Sequence, residues 1–91
     1  MSFYVYMLEC ADSSIYTGHT DDLEARLAAH DLGTFQGYTS SRRPVTLIFQ
    51  EQFETREEAF AVERQIKGWS RAKKLALAGG NWSDVVRLAR I

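Results

Sequence analysis

The sequence predicts a single α+β domain: a small, mainly antiparallel three-stranded sheet flanked by helices, in the order ββαβα plus C-terminal helices. Two strand-like runs separated by a four-residue turn open the chain, at residues 3–10 and 15–20. A capping box at Thr55 and Glu58 then starts an amphipathic helix. The length, 91 residues, suits one domain with one core.

The elements follow in order. Residues 3–10 (FYVYMLEC) are aromatic and β-branched, as strands prefer. Ala11-Asp12-Ser13-Ser14 is turn chemistry, and 15–20 (IYTGHT) returns as the second strand of a hairpin. Thr20 is the expected N-cap of a first helix, with Asp21, Asp22 and Glu24 at its positive end. Leu23 and Leu27 share one face, Arg26 and His30 a neighbouring one; the helix should end near Asp31, before Gly33. Residues 33–44 are polar, carry Gly33, Gly37 and Pro44, and read as a loop. A third strand is expected at 45–53 and a helix at 56–69, with Ala59, Val62, Ile66 and Trp69 as its apolar stripe. Ser70 caps a further helix stopped by Gly79-Gly80, and 82–90 reads as a last short helix. The domain is expected over 1–91, with its core at about 3–78.

Composition is that of a globular chain, with 45% hydrophobic and 25% charged residues. Cys10 is the lone cysteine, so no internal disulfide forms; it reads as a small packing residue. No signal peptide and no membrane-length apolar run are visible, so a cytoplasmic protein is expected. The net charge of −1 lends no support to nucleic-acid binding, but the basic residues cluster. Arg64, Lys67, Arg71, Lys73 and Lys74 run without an intervening acid, and Arg42 and Arg43 form a second pair. On charge alone solvated helix faces are the commoner reading, with phosphate contacts as the alternative.

Several residues resist a purely structural account. Glu63 falls among Ala59, Phe60 and Ile66 on the helical wheel, where a carboxylate needs an ion pair or a metal. Arg26 and His30 stand one helical turn apart, a pairing suited to a phosphodiester, although on spacing alone an exposed helix face is the commoner case. Tyr4 and Tyr6 share a strand face and Tyr16 lies on the paired strand, where core packing is the commoner role. Gly18 suggests a bulge or a close backbone approach, and His19 beside it is more often a surface residue than a ligand. No zinc pattern and no GxxxxGK loop is present.

Taken in order, Tyr4-Val5-Tyr6, Tyr16-Thr17-Gly18, Arg26 with His30, and Glu63 in the next long helix resemble the GIY-YIG nuclease domain. The small standalone bacterial members are the most similar, with phrases much like YTSSRRPV and IKGWSRAKKLAL. The resemblance covers about residues 3–78. It implies a general base at Tyr6, a water- or phosphate-orienting tyrosine at Tyr16, a tight turn at Gly18, a phosphate contact at Arg26 and a metal-binding carboxylate at Glu63. His19 matches a position often lysine or histidine, and His30 a histidine of several nuclease branches. The first motif lacks its glycine, replaced by Tyr4; the second carries Thr17 in its middle position. The asparagine that many members place after the glutamate is absent, and Lys73 and Lys74 occupy that region.

The resemblance thus implies a Mg²⁺-dependent DNA endonuclease, with Mn²⁺ as an alternative ion, acting in repair or on branched DNA. Arg42, Arg43, Lys67, Arg71, Lys73 and Lys74 are the expected DNA contacts, and targeting by a protein partner is part of this expectation. A catalytically weak nucleic-acid-binding module acting with a partner, and an interaction domain in which Glu63 pairs with Arg26, are the competing readings.

Overall fold

The computed structural model describes residues 2–80. Three strands, β1 (Phe3–Glu9), β2 (Ile15–Thr20) and β3 (Thr46–Phe53), form an antiparallel sheet in the order β2-β1-β3. Three helices follow the pattern read from the sequence: α1 (Leu23–Leu32), α2 (Arg56–Lys67) and α3 (Arg71–Ala78). The helix expected at 82–90 lies outside the described residues.

β1 is the central strand, and both its faces are covered. Val5, Tyr6, Met7 and Leu8 are therefore buried in succession, without the alternation of a one-faced strand. Val5 and Met7 meet Ala59 and Ile66 of α2, with Phe49, Phe53, Val62, Trp69 and Leu77 packed around them. Tyr6 points the other way, where α1 and the loop between α1 and β3 cover the sheet. The register sets Tyr6 against Gly18 and Leu8 against Tyr16 on this second face. Val5 against His19 and Met7 against Thr17 fall on the α2 face.

The helix ends show where local chemistry decides. Asp22, not Thr20, is the N-cap of α1: its carboxylate accepts from the Ala25 amide at 3.1 Å. Thr20 is still in β2, opposite Tyr4, and its hydroxyl accepts from the Asp22 amide at 3.1 Å. α1 closes on Gly33 in the left-handed region, φ 75°, two residues past Asp31. α2 begins at the predicted capping box, with the Thr55 hydroxyl accepting from the Glu58 amide at 3.2 Å. It ends at Lys67, so Trp69 packs on the core from beyond the helix. Ser70 caps α3 as expected, accepting from the Lys73 amide at 3.2 Å.

Candidate active site

Tyr6 and Tyr16 lean together over Gly18. Their ring centroids are 6.2 Å apart. A Cβ on Gly18 would stand 2.7 Å from the Tyr6 hydroxyl and 2.9 Å from Cε2 of Tyr16. Only glycine leaves room for both phenols, which is the physical content of the tripeptide Tyr16-Thr17-Gly18.

α1 supplies the next two groups. His30 is fully buried, and its Nε2 lies 2.9 Å from the Tyr6 hydroxyl. Its Nδ1 lies 2.7 Å from the hydroxyl of Thr39, also fully buried. Arg26, one turn earlier on α1, lies over the Phe35 ring at 5.0 Å and acts electrostatically on both phenols and on His30. Burial, followed by the neighbouring Tyr16, pushes the Tyr6 phenol far above its ordinary value, and Arg26 pulls it back in part. Burial and then the Glu63 carboxylate raise Tyr16, while the nearby Tyr6 hydroxyl and the Arg26 charge lower it. Burial and the Arg26 charge lower His30, so the ring is neutral near pH 7. Tyr6 has no exposed surface, whereas Tyr16 and Arg26 are half-buried. The phenol that meets solvent is thus Tyr16, and Tyr6 stands behind it.

Glu63 sits on the α2 face, only 6% exposed. Its Oε1 is 2.9 Å from His19 Nδ1, and its Oε2 is 3.5 Å from Lys67 Nζ. His19 thereby ties the carboxylate to β2, and Phe60 packs edge-on against the imidazole. The register places His19 and Tyr16 on opposite sheet faces, so Glu63 and the phenols approach β2 from opposite sides. They form two halves that meet at the edge strand β2, close enough for Glu63 to raise Tyr16. Arg26 is not the partner of Glu63.

The basic residues fall into several settings. Arg42 pairs with Asp12 at 3.1 Å, donates to the Tyr38 carbonyl at 2.8 Å and covers the Tyr38 ring at 3.9 Å. Arg43 reaches the Asp31 carbonyl at 3.3 Å, closing the end of α1. Arg71 donates to the Ser13 carbonyl at 2.9 Å, pinning α3 to the hairpin turn. Lys73 lies over Trp69 at 3.9 Å, and Lys74 is half-buried, with burial and Lys67 lowering its pKa. Cys10 is buried, as a packing residue should be.

Residues absent from the sequence-based site are Phe35, Tyr38 and Thr39, all in the stretch read as a polar loop. Phe35 packs on His30 with centroids 4.3 Å apart, and Tyr38 stacks on Tyr16 at 6.1 Å. Two aromatics in an otherwise polar, glycine-bearing stretch were the available signal.

Among the described residues, no group of three or more His, Cys, Asp and Glu side chains could hold a metal. A divalent ion would therefore depend on one carboxylate. Glu63 suits that task for Mg²⁺, which keeps most of its positions for water and phosphate oxygens. His19 holds one oxygen of this carboxylate as an outer-shell partner would.

The fold and this arrangement define a nuclease-like domain of the GIY-YIG type. The chain belongs to that family: the model of the GIY-YIG catalytic domain matches residues 2–76. A UPF0213 protein of Staphylococcus haemolyticus is 47% identical over 74 residues, covering 81% of this chain and 90% of the relative. A UPF0213 protein of Staphylococcus aureus is 46% identical over 76 residues, covering 84% and 93%. The solution structure of a UPF0213 protein from Bacillus halodurans is similar with a TM-score of 0.57 and 40% identity, over 97% of each chain. That of a protein from E. faecalis gives 0.58 and 45%, over 81% of this chain and 79% of the other. Family membership supports a nuclease-like role with DNA as substrate, and GIY-YIG nucleases generally depend on a divalent metal. No described helix is long and apolar enough to cross a membrane.

Proposed function

We propose that this chain is a Mg²⁺-dependent DNA endonuclease that hydrolyses phosphodiester bonds, with branched or damaged DNA as its substrate class. The observation that carries this reading is the convergence of two phenols over Gly18, beside Arg26 and within electrostatic reach of Glu63. Tyr16, half-exposed, is the phenol that faces the attacking water. Its phenolate accepts the water's proton as the oxygen attacks phosphorus and the bond from phosphorus to the leaving sugar oxygen breaks; the proton ends on Tyr16 Oη, and the leaving oxygen takes a proton from solvent. The Tyr6 hydroxyl and the Arg26 charge favour that phenolate, and Arg26 also neutralises a non-bridging phosphate oxygen. His30 holds Tyr6 from behind. Glu63 would hold the metal, with His19 orienting its carboxylate. A divalent ion bound there would stabilise charge on the phosphate and the leaving oxygen. Lys67, Lys73 and Lys74, which follow Glu63 along the chain into α3, would contact the flanking backbone, and Arg42, Arg43 and Arg71 would add to the DNA contacts from the settings described above.

The engagement of both Glu63 oxygens by His19 and Lys67 favours a second reading, a nucleic-acid-binding module with little catalysis that works with a protein partner. Plasmid and branched DNA, incubated with Mg²⁺, Mn²⁺ or chelator, separate the two. Metal-dependent cutting by the wild type, lost in Glu63→Gln and Tyr16→Phe, is the result expected of the enzyme. Tight binding without cutting under every metal condition would replace it with the binding module.

A further inference from the structure

Thr39, His30, Tyr6 and Tyr16 form a line of polar groups running from a sealed interior to the half-exposed phenol. The first three have no exposed surface. Such groups must find their hydrogen-bond partners within the protein. The possible proton arrangements are therefore few, and they can be worked through.

His30 is neutral near pH 7, so one ring nitrogen carries a hydrogen and the other accepts. Two tautomers satisfy the contacts at 2.9 and 2.7 Å. In one, Nδ1–H donates to Thr39 Oγ1 and Nε2 accepts from Tyr6. The Thr39 hydroxyl proton then needs a second acceptor, and among the described residues its side chain bonds only to His30. In the other, the Thr39 hydroxyl donates to Nδ1, and Nε2–H donates to Tyr6 Oη. Every group is then satisfied, and the Tyr6 proton is left to donate onward. Tyr16 lies in that direction, its ring centroid 6.2 Å from that of Tyr6, and the Tyr6 hydroxyl partly offsets the burial that disfavours the Tyr16 phenolate.

We propose that Thr39 is a positioning residue: by donating to His30 Nδ1 it fixes the Nε2–H tautomer, so that Tyr6 accepts from His30 and donates to Tyr16. Donors then point one way along the line, Thr39 to His30 to Tyr6 to Tyr16. The buried threonine sets which phenol can lose its proton, although it touches neither substrate nor metal. The part of this inference that concerns turnover rests on the endonuclease reading above; the tautomer does not.

The test uses the full chain with ¹⁵N-labelled histidine. Long-range ¹H–¹⁵N correlation at neutral pH should show His30 with Nε2 protonated and Nδ1 bare. Thr39→Ser should keep that pattern, and Thr39→Val should populate the Nδ1–H form. Wild-type His30 protonated at Nδ1, or a pattern unchanged in folded Thr39→Val, would overturn the proposal. The wild-type spectrum decides the matter even where Thr39→Val does not fold. On branched DNA with Mg²⁺, Thr39→Val should lower kcat by up to about tenfold, the low end of a lost outer-shell contact and no more than Tyr6→Phe, at unchanged KM. Thr39→Ser should restore it. A correct tautomer in a protein that cuts no DNA would overturn the endonuclease reading while leaving the tautomer assignment standing; a shifted tautomer with undiminished kcat would overturn the positioning role.

Discussion

Glu63 shows how one residue ties a helix to the sheet. Its neighbours Ala59 and Ile66 are core residues, and its carboxylate reaches past them to His19 on β2. Glu63→Gln keeps the shape and removes the charge. It should leave the far-UV circular dichroism unchanged and abolish the metal response of cleavage. The two phenols should separate in the same assay. Tyr16→Phe should cost at least about a hundredfold in kcat, the scale of a lost general base. Tyr6→Phe, which removes a supporting donor, should cost about tenfold, less than a direct proton acceptor. Equal losses would contradict the division of labour between exposed and buried phenol. Because the proposed base is a raised phenol, the rate should climb with pH through the neutral and alkaline range rather than peak near 7.

At the scale of elements, the hairpin carries the tightest constraint. Gly18 lies opposite Tyr6 in the β1–β2 pairing, and a methyl group there would collide with both phenols. Gly18→Ala should destabilise by about 1–3 kcal/mol, as overpacking does, and remove cleavage beyond what lost stability explains. Urea unfolding together with an activity assay checks both effects. The hairpin, the capping box of α2 and the Ser70 cap were legible in the sequence because each is local: a turn or a cap needs only residues a few positions apart. The first helix was misread at its start because Thr20 and Asp22 are both good caps. Strand pairing with Tyr4 decided between them. Loop 33–45 was not legible, since its contribution is long-range. Thr39 meets His30 and Tyr38 meets Tyr16 only after α1 and the loop fold back over the sheet.

For the whole molecule, the buried titratable groups set a pH window for stability. His30 has a folded pKa below its unfolded value near 6.5, so the unfolded chain binds more protons in acid. Stability is therefore complete above about 6.5 and declines as pH falls below it. The phenols Tyr6 and Tyr16 have folded pKa values above about 10, so the unfolded chain loses protons first in alkali and stability declines there as well. Thermal unfolding from pH 5 to 11 should give a plateau between these limits, and His30→Gln should flatten its acid side. The sequence identified Tyr6, Tyr16, Arg26, His30 and Glu63 as one set but not their division between two sheet faces, since strand alternation is relative until the covering helices are placed.

That division is the central structural claim: phenols on one face and carboxylate on the other, meeting at the edge strand β2, where the proposed reaction needs both. Mn²⁺ titration of ¹⁵N-labelled protein tests it directly, because the paramagnetic ion broadens the amides around it. Broadening should centre on the Glu63 turn of α2 and on Tyr16 to His19 of β2, and it should vanish in Glu63→Gln. Broadening centred elsewhere, or unchanged in Glu63→Gln, would contradict the account.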